Sequence, residues 1–263
     1  MFISFYKYHG TGNDFIIIDN RNGTWGQHTQ YTVALVQKLC NRRLGIGADG
    51  LMLMQRHERY DFEVIYYNAD GSQSLCGNGS RCAIHLAQYW GIIGQQAYFL
   101  TTDGPHQAFI QEGLIHLSMH DVAEIQLLAD GYFLNTGSPH YIRLVDDLTS
   151  LDVRRIGSAI RHSQPFQKIG TNVSFVQLEG NNKLSIRTYE RGVEDETLSC
   201  GTGVTAAALV ASTKGYTSPI QVSTQGGSLQ VSFKAAPQGF TDIYLIGPAT
   251  MVFQGRIDIQ ALA

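Results

Sequence analysis

Two cysteines of this 263-residue chain sit in matching surroundings. Cys76-Gly77-Asn78-Gly79 is answered 124 residues later by Cys200-Gly201-Thr202-Gly203. In each case a thiol precedes Gly-x-Gly, and an apolar, alanine-bearing segment with helical spacing follows. Glycines there allow a tight turn and close backbone approach, and the next amides are the donors that a helix start leaves without an intrahelical acceptor. Such a position favours negative charge: it draws a thiol toward thiolate, and it can hold a substrate carboxylate on backbone N–H groups. A carboxylate held in this way has its developing carbanion charge stabilised as the α-proton leaves. Stereoinversion needs a base on one face of a carbon to take the proton and an acid on the other face to return one. The expected chemistry is therefore cofactor-independent racemisation or epimerisation of an amino acid, with Cys76 and Cys200 as the acid/base pair.

Other chemistries fit the residues less well. Either cysteine alone would read as a buried structural thiol, and Cys40 and Cys82, inside apolar helical patterns, read as packing residues. A metal site lacks support, because the cysteines have no C-x-x-C spacing and His116 and His120 lie in a strand-like run. A Cys–His nucleophile pair with His9 or His140 as base stays open, although it leaves the second cysteine motif without a task. The glycine turns are not followed by Lys-Ser/Thr, as a phosphate-binding loop requires. A redox couple of Cys76 and Cys82, or a catalytically silent amino-acid-binding protein, are the remaining alternatives, and both leave the matched pair of motifs unexplained.

The elements that must carry these turns are mostly strands. Short β-branched and aromatic runs predict strands at Phe15–Asp19, Phe62–Tyr67, Ala97–Thr101, Leu114–Met119, His140–Val145, Val173–Gln177, Leu184–Tyr189, Ile220–Thr224 and Ile243–Ile246. Helical spacing covers Thr32–Arg42 and the segments after Cys76 and Cys200. Strands outnumber helices and do not alternate with them regularly, so the class is α+β, with mixed strands around a few helices. The motif repeat extends further: Ala83, Ala87 and Gly91 match Ala207, Ala211 and Gly215 at the same offset. Thr11-Gly12 matches Thr136-Gly137, and Thr102-Asp103-Gly104 matches Thr224-Gln225-Gly226. Two pseudo-symmetric halves are expected, residues 1–122 and 123–252, with the boundary near Asp121–Asp130.

Hydrophobic residues make up 43% of the chain and charged ones 16%, the balance of a core-forming protein. The net charge of −3 gives no reason to expect nucleic acid or a membrane surface as partner. The first residues lack a secretory pattern, and four cysteines are too few for a disulfide scaffold, so a cytoplasmic setting with reduced thiols is expected. Composition leaves a homodimer open.

Taken in order, His9-Gly10-Thr11-Gly12-Asn13-Asp14-Phe15, Gly45-Ile46-Gly47-Ala48-Asp49-Gly50, Asn68-Ala69-Asp70-Gly71-Ser72, Cys76 to Cys82, Pro139-His140, Asn172, Glu190-Arg191-Gly192, Cys200 to Gly203 and Gly247-Pro248-Ala249 resemble the diaminopimelate epimerase family. The resemblance implies two domains, each wrapping strands around a central helix, with the site in the cleft between them. It also implies that residues from about 253 to 263 return to the first half. The implied reaction interconverts LL- and meso-diaminopimelate, on the route to lysine and peptidoglycan precursors, without pyridoxal phosphate or metal. Cys76 and Cys200 fall on the catalytic thiols, and Asn13, Asn68, Asn172, Glu190 and Arg191 on substrate-binding positions. Gly77-Asn78 and Gly201-Thr202 fall on the turns that hold the reacting carboxylate, while His140, Ser138 and Gly50 are supporting positions. The chain departs from the pattern in four places: a shorter loop from Asp70 to Cys76, a longer one through Val193–Glu196, Ser138 in place of Asn, and Gly50 where some members have Gln. Related proline and hydroxyproline racemases are expected to carry Cys-Gly-His in the first motif, and phenazine-type isomerases of the same fold to lack the paired thiols.

Overall fold

Most strand segments alternate in burial, and the helices after the two cysteines are buried along nearly their whole length. Strands of that kind pack one face on a helix layer, and helices of that kind must be surrounded by sheet. The computed structural model describes residues 2–25, 32–73 and 76–262. Its contacts divide the chain into two units, Met1–Leu117 with Pro248–Ala263, and Ser118–Gly247.

The first unit runs β1 (Phe2–Gly10), β2 (Asn13–Asp19), α1 (Thr32–Cys40), β3 (Gly50–Gln55), β4 (Phe62–Asn68), α2 (Gly77–Tyr89), β5 (Gln96–Thr101), β6 (Gly104–Gln111) and β7 (Leu114–Ser118). Its strands pair in the order antiparallel β1–β2, parallel β2–β3, antiparallel β3–β4, parallel β4–β5, then antiparallel β5–β6 and β6–β7. The second unit runs β8 (Gln126–Leu128), β9 (Gly131–Asn135), β10 (Pro139–Leu144), α3 (Val153–Arg161), β11 (Asn172–Gly180), β12 (Lys183–Glu190), β13 (Asp195–Thr197), α4 (Gly201–Ser212), β14 (Ile220–Thr224), β15 (Gly227–Ala236) and β16 (Gly239–Gly247). Starting at β9, it repeats the same pairing sequence: antiparallel β9–β10, parallel β10–β11, antiparallel β11–β12, parallel β12–β14, then antiparallel β14–β15 and β15–β16. The sequence repeat is thus a topological repeat, with α1 answered by α3 and α2 by α4.

Each unit has one further strand beside its first. In the second unit this is β8, antiparallel to β9. In the first it comes from the far end of the chain, as β17 (Thr250–Asp258) lies antiparallel to β1 with Phe2 opposite Asp258. The α+β class expected from the sequence is the one observed.

Period-two alternation sends successive side chains to two different helices. In the first unit Ile16, Ile18, Leu51, Leu53 and Tyr67 pack in one cluster with Leu35, Val36 and Leu39 of α1. Phe15 and Met52, on the opposite face, pack beside Gly79 of α2. In the second unit Tyr141, Val173, Phe175 and Tyr189 pack with Val153 of α3, while Ile142, Val176 and Ile186 pack with Val204 and Ala206–Ala211 of α4. Among the described residues no helix is long and apolar enough to cross a membrane.

Candidate active site

In each unit the residues singled out from sequence collect at one end of the sheet, on the face covered by the helix that follows the cysteine. In the first unit Phe15 pairs with Gly50 and Gly50 with Asn68, and Asn13 lies two residues before Phe15. Asn13, Gly50 and Asn68 therefore share the α2 face. In the second, His140 pairs with Asn172, and Glu190 follows Tyr189, which points to the α3 side, so Glu190 belongs to the α4 face.

Cys76 and Cys200 occupy the same position, the N-cap of α2 and of α4, with nearly the same extended backbone (φ −133°, ψ 107° and φ −114°, ψ 109°). Neither thiol caps its helix by a side-chain hydrogen bond. The helices begin with the carbonyls of these residues accepting from Ser80 and Val204 at 2.8 and 2.9 Å. The following amides point out of the helix end, where an anion is favoured. Gly77, Gly79, Gly201 and Gly203 lie within the helices, so a tight turn is not what requires them. Close approach is: a Cβ on Gly79 would stand 3.1 Å from the Met52 sulfur, and one on Gly203 3.2 Å from both His140 Cε1 and Ser174 Oγ.

Around Cys76 the geometry is set by Asn13. Cys76 Sγ donates to Asn13 Oδ1 at 3.4 Å, and Asn78 Nδ2 donates to the same oxygen at 3.3 Å. Asn13 Nδ2 donates to Asp49 at 2.7 Å, which fixes the orientation of its amide. Asp49 is held by Arg42 at 2.8 Å, and Arg42 also grips Asp14 at 2.6 Å. Lys7 pairs with Asp14 at 2.7 Å and donates to the Gly47 carbonyl. Burial alone would raise the Asp14 carboxyl, but hydrogen bonds from Arg42 and Lys7, with their charges, hold it well below the usual carboxylate range. Asp14 and Asp49 stand in the quoted motifs, but their pairing with Lys7 and Arg42 was not anticipated from the sequence, since the spacing follows no helical or strand period. Asn68 donates from Nδ2 to Ser72 Oγ at 2.9 Å. A side chain at Gly50 would meet the Tyr66 ring at 2.4–2.7 Å, so Tyr66 fills the space that a Gln would need. Residues 74–75 of the shortened loop lie outside the described residues.

The Cys200 turn is built from different side chains. Cys200 Sγ lies 3.5 Å from Thr202 Oγ1, and that hydroxyl lies 2.9 Å from His140 Nε2. His140 is fully buried; burial first, and the Arg191 charge second, push its pKa down to about 3 and keep the ring neutral. Its Nδ1 is buried with no hydrogen-bond partner among the described residues. Thr136 Oγ1 donates to the Thr202 carbonyl at 2.9 Å. Asn172 is buried and fully engaged within the unit: Nδ2 donates to Ser138 Oγ at 2.8 Å and to Pro139 O at 3.0 Å, and Oδ1 accepts from the Arg191 amide at 2.9 Å. Glu190 accepts from Thr197 Oγ1 at 2.8 Å, and the exposed Arg191 donates from Nη1 to Ile169 O at 3.0 Å.

Cys40 and Cys82 are buried thiols. Burial pushes the Cys40 thiol up to about 12 and the Cys82 thiol higher still, so neither ionises near neutral pH.

The fold belongs to a class already seen in solved structures. A phenazine biosynthesis protein of the PhzF family from Bacillus anthracis matches 98% of this chain and 99% of its own, with a TM-score of 0.74 at 13% identity. A hydroxyproline epimerase from Agrobacterium vitis matches 97% of this chain and 92% of its own, with a TM-score of 0.67 at 14% identity. Sequence is more specific than fold here. The profile of the family described as "Diaminopimelate epimerase" matches residues 5–122 and 132–252, and the diaminopimelate epimerase of Flavobacterium psychrophilum is 48% identical over 96% of this chain and 99% of its own. The chain belongs to the diaminopimelate epimerase family.

Proposed function

We propose that this protein is an isomerase that inverts one α-carbon of diaminopimelate, LL to meso, with Cys76 and Cys200 as its two acid/base groups. One thiolate takes the α-proton and becomes a thiol; the other thiol delivers a proton to the opposite face and becomes a thiolate. Proton and charge balance, and each thiol serves as base for one direction. The observation that carries the reading is the pair of cysteine N-caps, alike in backbone and each heading the buried helix of a topologically repeated unit.

The substrate has an amino and a carboxylate group at each end. In this reading the Gly77-Asn78 and Gly201-Thr202 turns hold the reacting carboxylate on helix-start amides. Arg191 receives the distal carboxylate and Glu190 the distal ammonium, with Asn13, Asn68 and Asn172 completing the polar shell. Ser138, His140 and Gly50 support that shell. Asn172 does so partly by proxy, since its amide already positions Ser138 and the Arg191 backbone. The proposal includes a cytoplasmic setting, where thiols stay reduced, and a role in making lysine and peptidoglycan precursors. Both thiols are on one chain, so a homodimer would not be needed to supply either.

The test is incubation with LL-diaminopimelate in deuterated water with no added cofactor, followed by separation of stereoisomers and mass measurement. The expected result is meso product carrying one solvent deuterium at the inverted carbon. Turnover of proline or hydroxyproline with inert diaminopimelate would move the assignment to the racemases of the same fold.

A further inference from the structure

Beneath the Cys76 turn lies a charge that the proposed reaction does not use. Arg81, in the second turn of α2, is the largest fully buried side chain among the described residues. Its guanidinium touches only neutral acceptors: Asn78 Oδ1 at 2.9 Å, Thr11 Oγ1 and Pro248 O at 3.4 Å, and Gly77 O at 3.5 Å. No carboxylate among the described residues is one of its partners. Burial draws its pKa down to about 10, which still leaves it charged at neutral pH. An isolated buried charge is costly, and such charges are normally paired. The packing is also tight, since a Cβ on Gly10 would stand 2.9 Å from Asn78 O and 3.3 Å from Arg81 Nη2.

The repeat supplies a comparison within the same molecule. The residue 124 positions after Arg81 is Thr205, equally buried but neutral. Both reach back to the first residue of their helix: Thr205 Oγ1 donates to Gly201 O at 3.0 Å, as Arg81 does to Gly77 O. So α2 begins over a buried cation and α4 does not.

We infer that Arg81 is a positioning residue whose guanidinium serves as counter-charge to the anionic form of the Cys76 turn, so that Cys76 ionises more readily than Cys200. The inference rests on the acid/base role proposed for the two thiols and adds which of them is the readier thiolate. Arg81 acts through Asn78, whose Oδ1 it holds so that Nδ2 faces the Asn13 oxygen contacted by Cys76. Of the described groups near that turn, the Asn13 oxygen favours the thiol form by accepting from it, but it sets a dipole against a full charge. Asn13 and Asn78 are neutral, and Cys82 is kept protonated by burial. The two carboxylates behind Asn13, Asp14 and Asp49, are matched by Lys7 and Arg42. Around Cys200 stand the Thr202 hydroxyl and neutral His140. Glu190 and Arg191 beyond them are of opposite sign; the Arg191 charge reaches His140, but its side chain is exposed rather than buried as Arg81 is.

The test is the pH dependence of iodoacetamide alkylation of the full-length protein between about pH 5 and 10, with peptide mass spectrometry reading Cys76 and Cys200 separately. The midpoint of each curve reports ionisation, whatever the absolute rate that exposure allows. The expected midpoint for Cys76 lies at least about one pH unit below that for Cys200, a tenfold difference in thiolate fraction. Arg81→Met should raise the Cys76 midpoint and leave that of Cys200 in place, while Arg81→Lys keeps most of the difference. Coincident midpoints in the wild-type protein, or a lower one for Cys200, would overturn the inference, and that comparison needs no variant to fold. So would a folded Arg81→Met protein with an unmoved Cys76 curve. Alkylation reads ionisation and not turnover, so a protein inert toward diaminopimelate could still pass, and an active epimerase could still fail.

Discussion

At the scale of single residues the two turns are alike in backbone and unlike in chemistry. An amide couples Cys76 to an ion-paired network, whereas a hydroxyl couples Cys200 to a buried neutral histidine. Serine at either cysteine leaves the backbone turn in place and removes the ionisable group. Cys76→Ser and Cys200→Ser are each expected to lower the inversion rate by about 10²–10⁴-fold, while Cys40→Ser and Cys82→Ser keep most of it; chiral chromatography of the product checks this. His140 gives a second prediction, on stability. Its folded pKa, about 3, lies below its ordinary 6.5, so between those values the unfolded chain binds the extra proton. The stabilising contribution is full above pH 6.5 and is lost as pH falls toward 3, by about 1.4 kcal/mol per pH unit. Urea midpoints at pH 7 and pH 5 should therefore differ more for the wild type than for His140→Gln. The cysteines, Asn13, Asn68, Asn78 and Glu190-Arg191 could be singled out because they sit in short local motifs, whereas Asn172 came only with the family resemblance; their roles are those proposed above. The Lys7–Asp14–Arg42–Asp49 network was not legible, because four charges brought together from two strands and the loop between α1 and β3 leave no local pattern.

Among the elements, legibility followed composition. β14 was read to the residue as Ile220–Thr224, and most β-branched runs to within a residue or two at each end. β3 was missed because Leu and Met favour helix as readily as strand, and because a strand buried on both faces shows no alternation. β15 was missed although Leu229, Val231 and Phe233 alternate with Gln230, Ser232 and Lys234 as a half-buried strand requires. α3 has a helix-start signal, Asp152 accepting from the Arg155 amide at 3.0 Å, but Gly157 at its middle hides it. That glycine serves packing: a Cβ there would lie 2.4 Å from Tyr189 Cβ on β12. Gly157→Ala should gain up to about 1 kcal/mol in helix propensity yet destabilise the protein overall, since overpacking costs about 1–3 kcal/mol. A lower melting temperature than wild type is the expected result, and an unchanged or higher one would mean that α3 can move away from the sheet.

For the molecule as a whole, the chain order of the strands separates the two units. The second, residues 118–247, is continuous, whereas the first is assembled from both ends of the chain. Removing β17 strips β1 of one of its two neighbours, so a variant ending at Gly247 should lose amide hydrogen-exchange protection along Phe2–Gly10 while β11 and β12 keep theirs. Loss of protection in both places would mean that the units do not fold independently.

The pairing of Phe2 with Asp258 also sets a timetable for synthesis. Chains leave the ribosome from the N-terminus at about 5–20 residues per second, and domains tend to fold as they emerge. β1 precedes the other strands of its unit, yet one of its two partners follows the whole of the second unit. For most of translation one edge of the first unit therefore stands open, a row of backbone donors and acceptors available to any passing strand. Nascent chains stalled before residue 250 are thus the form of this protein most exposed to mispairing, and synthesis of β17 is the event that closes its first sheet.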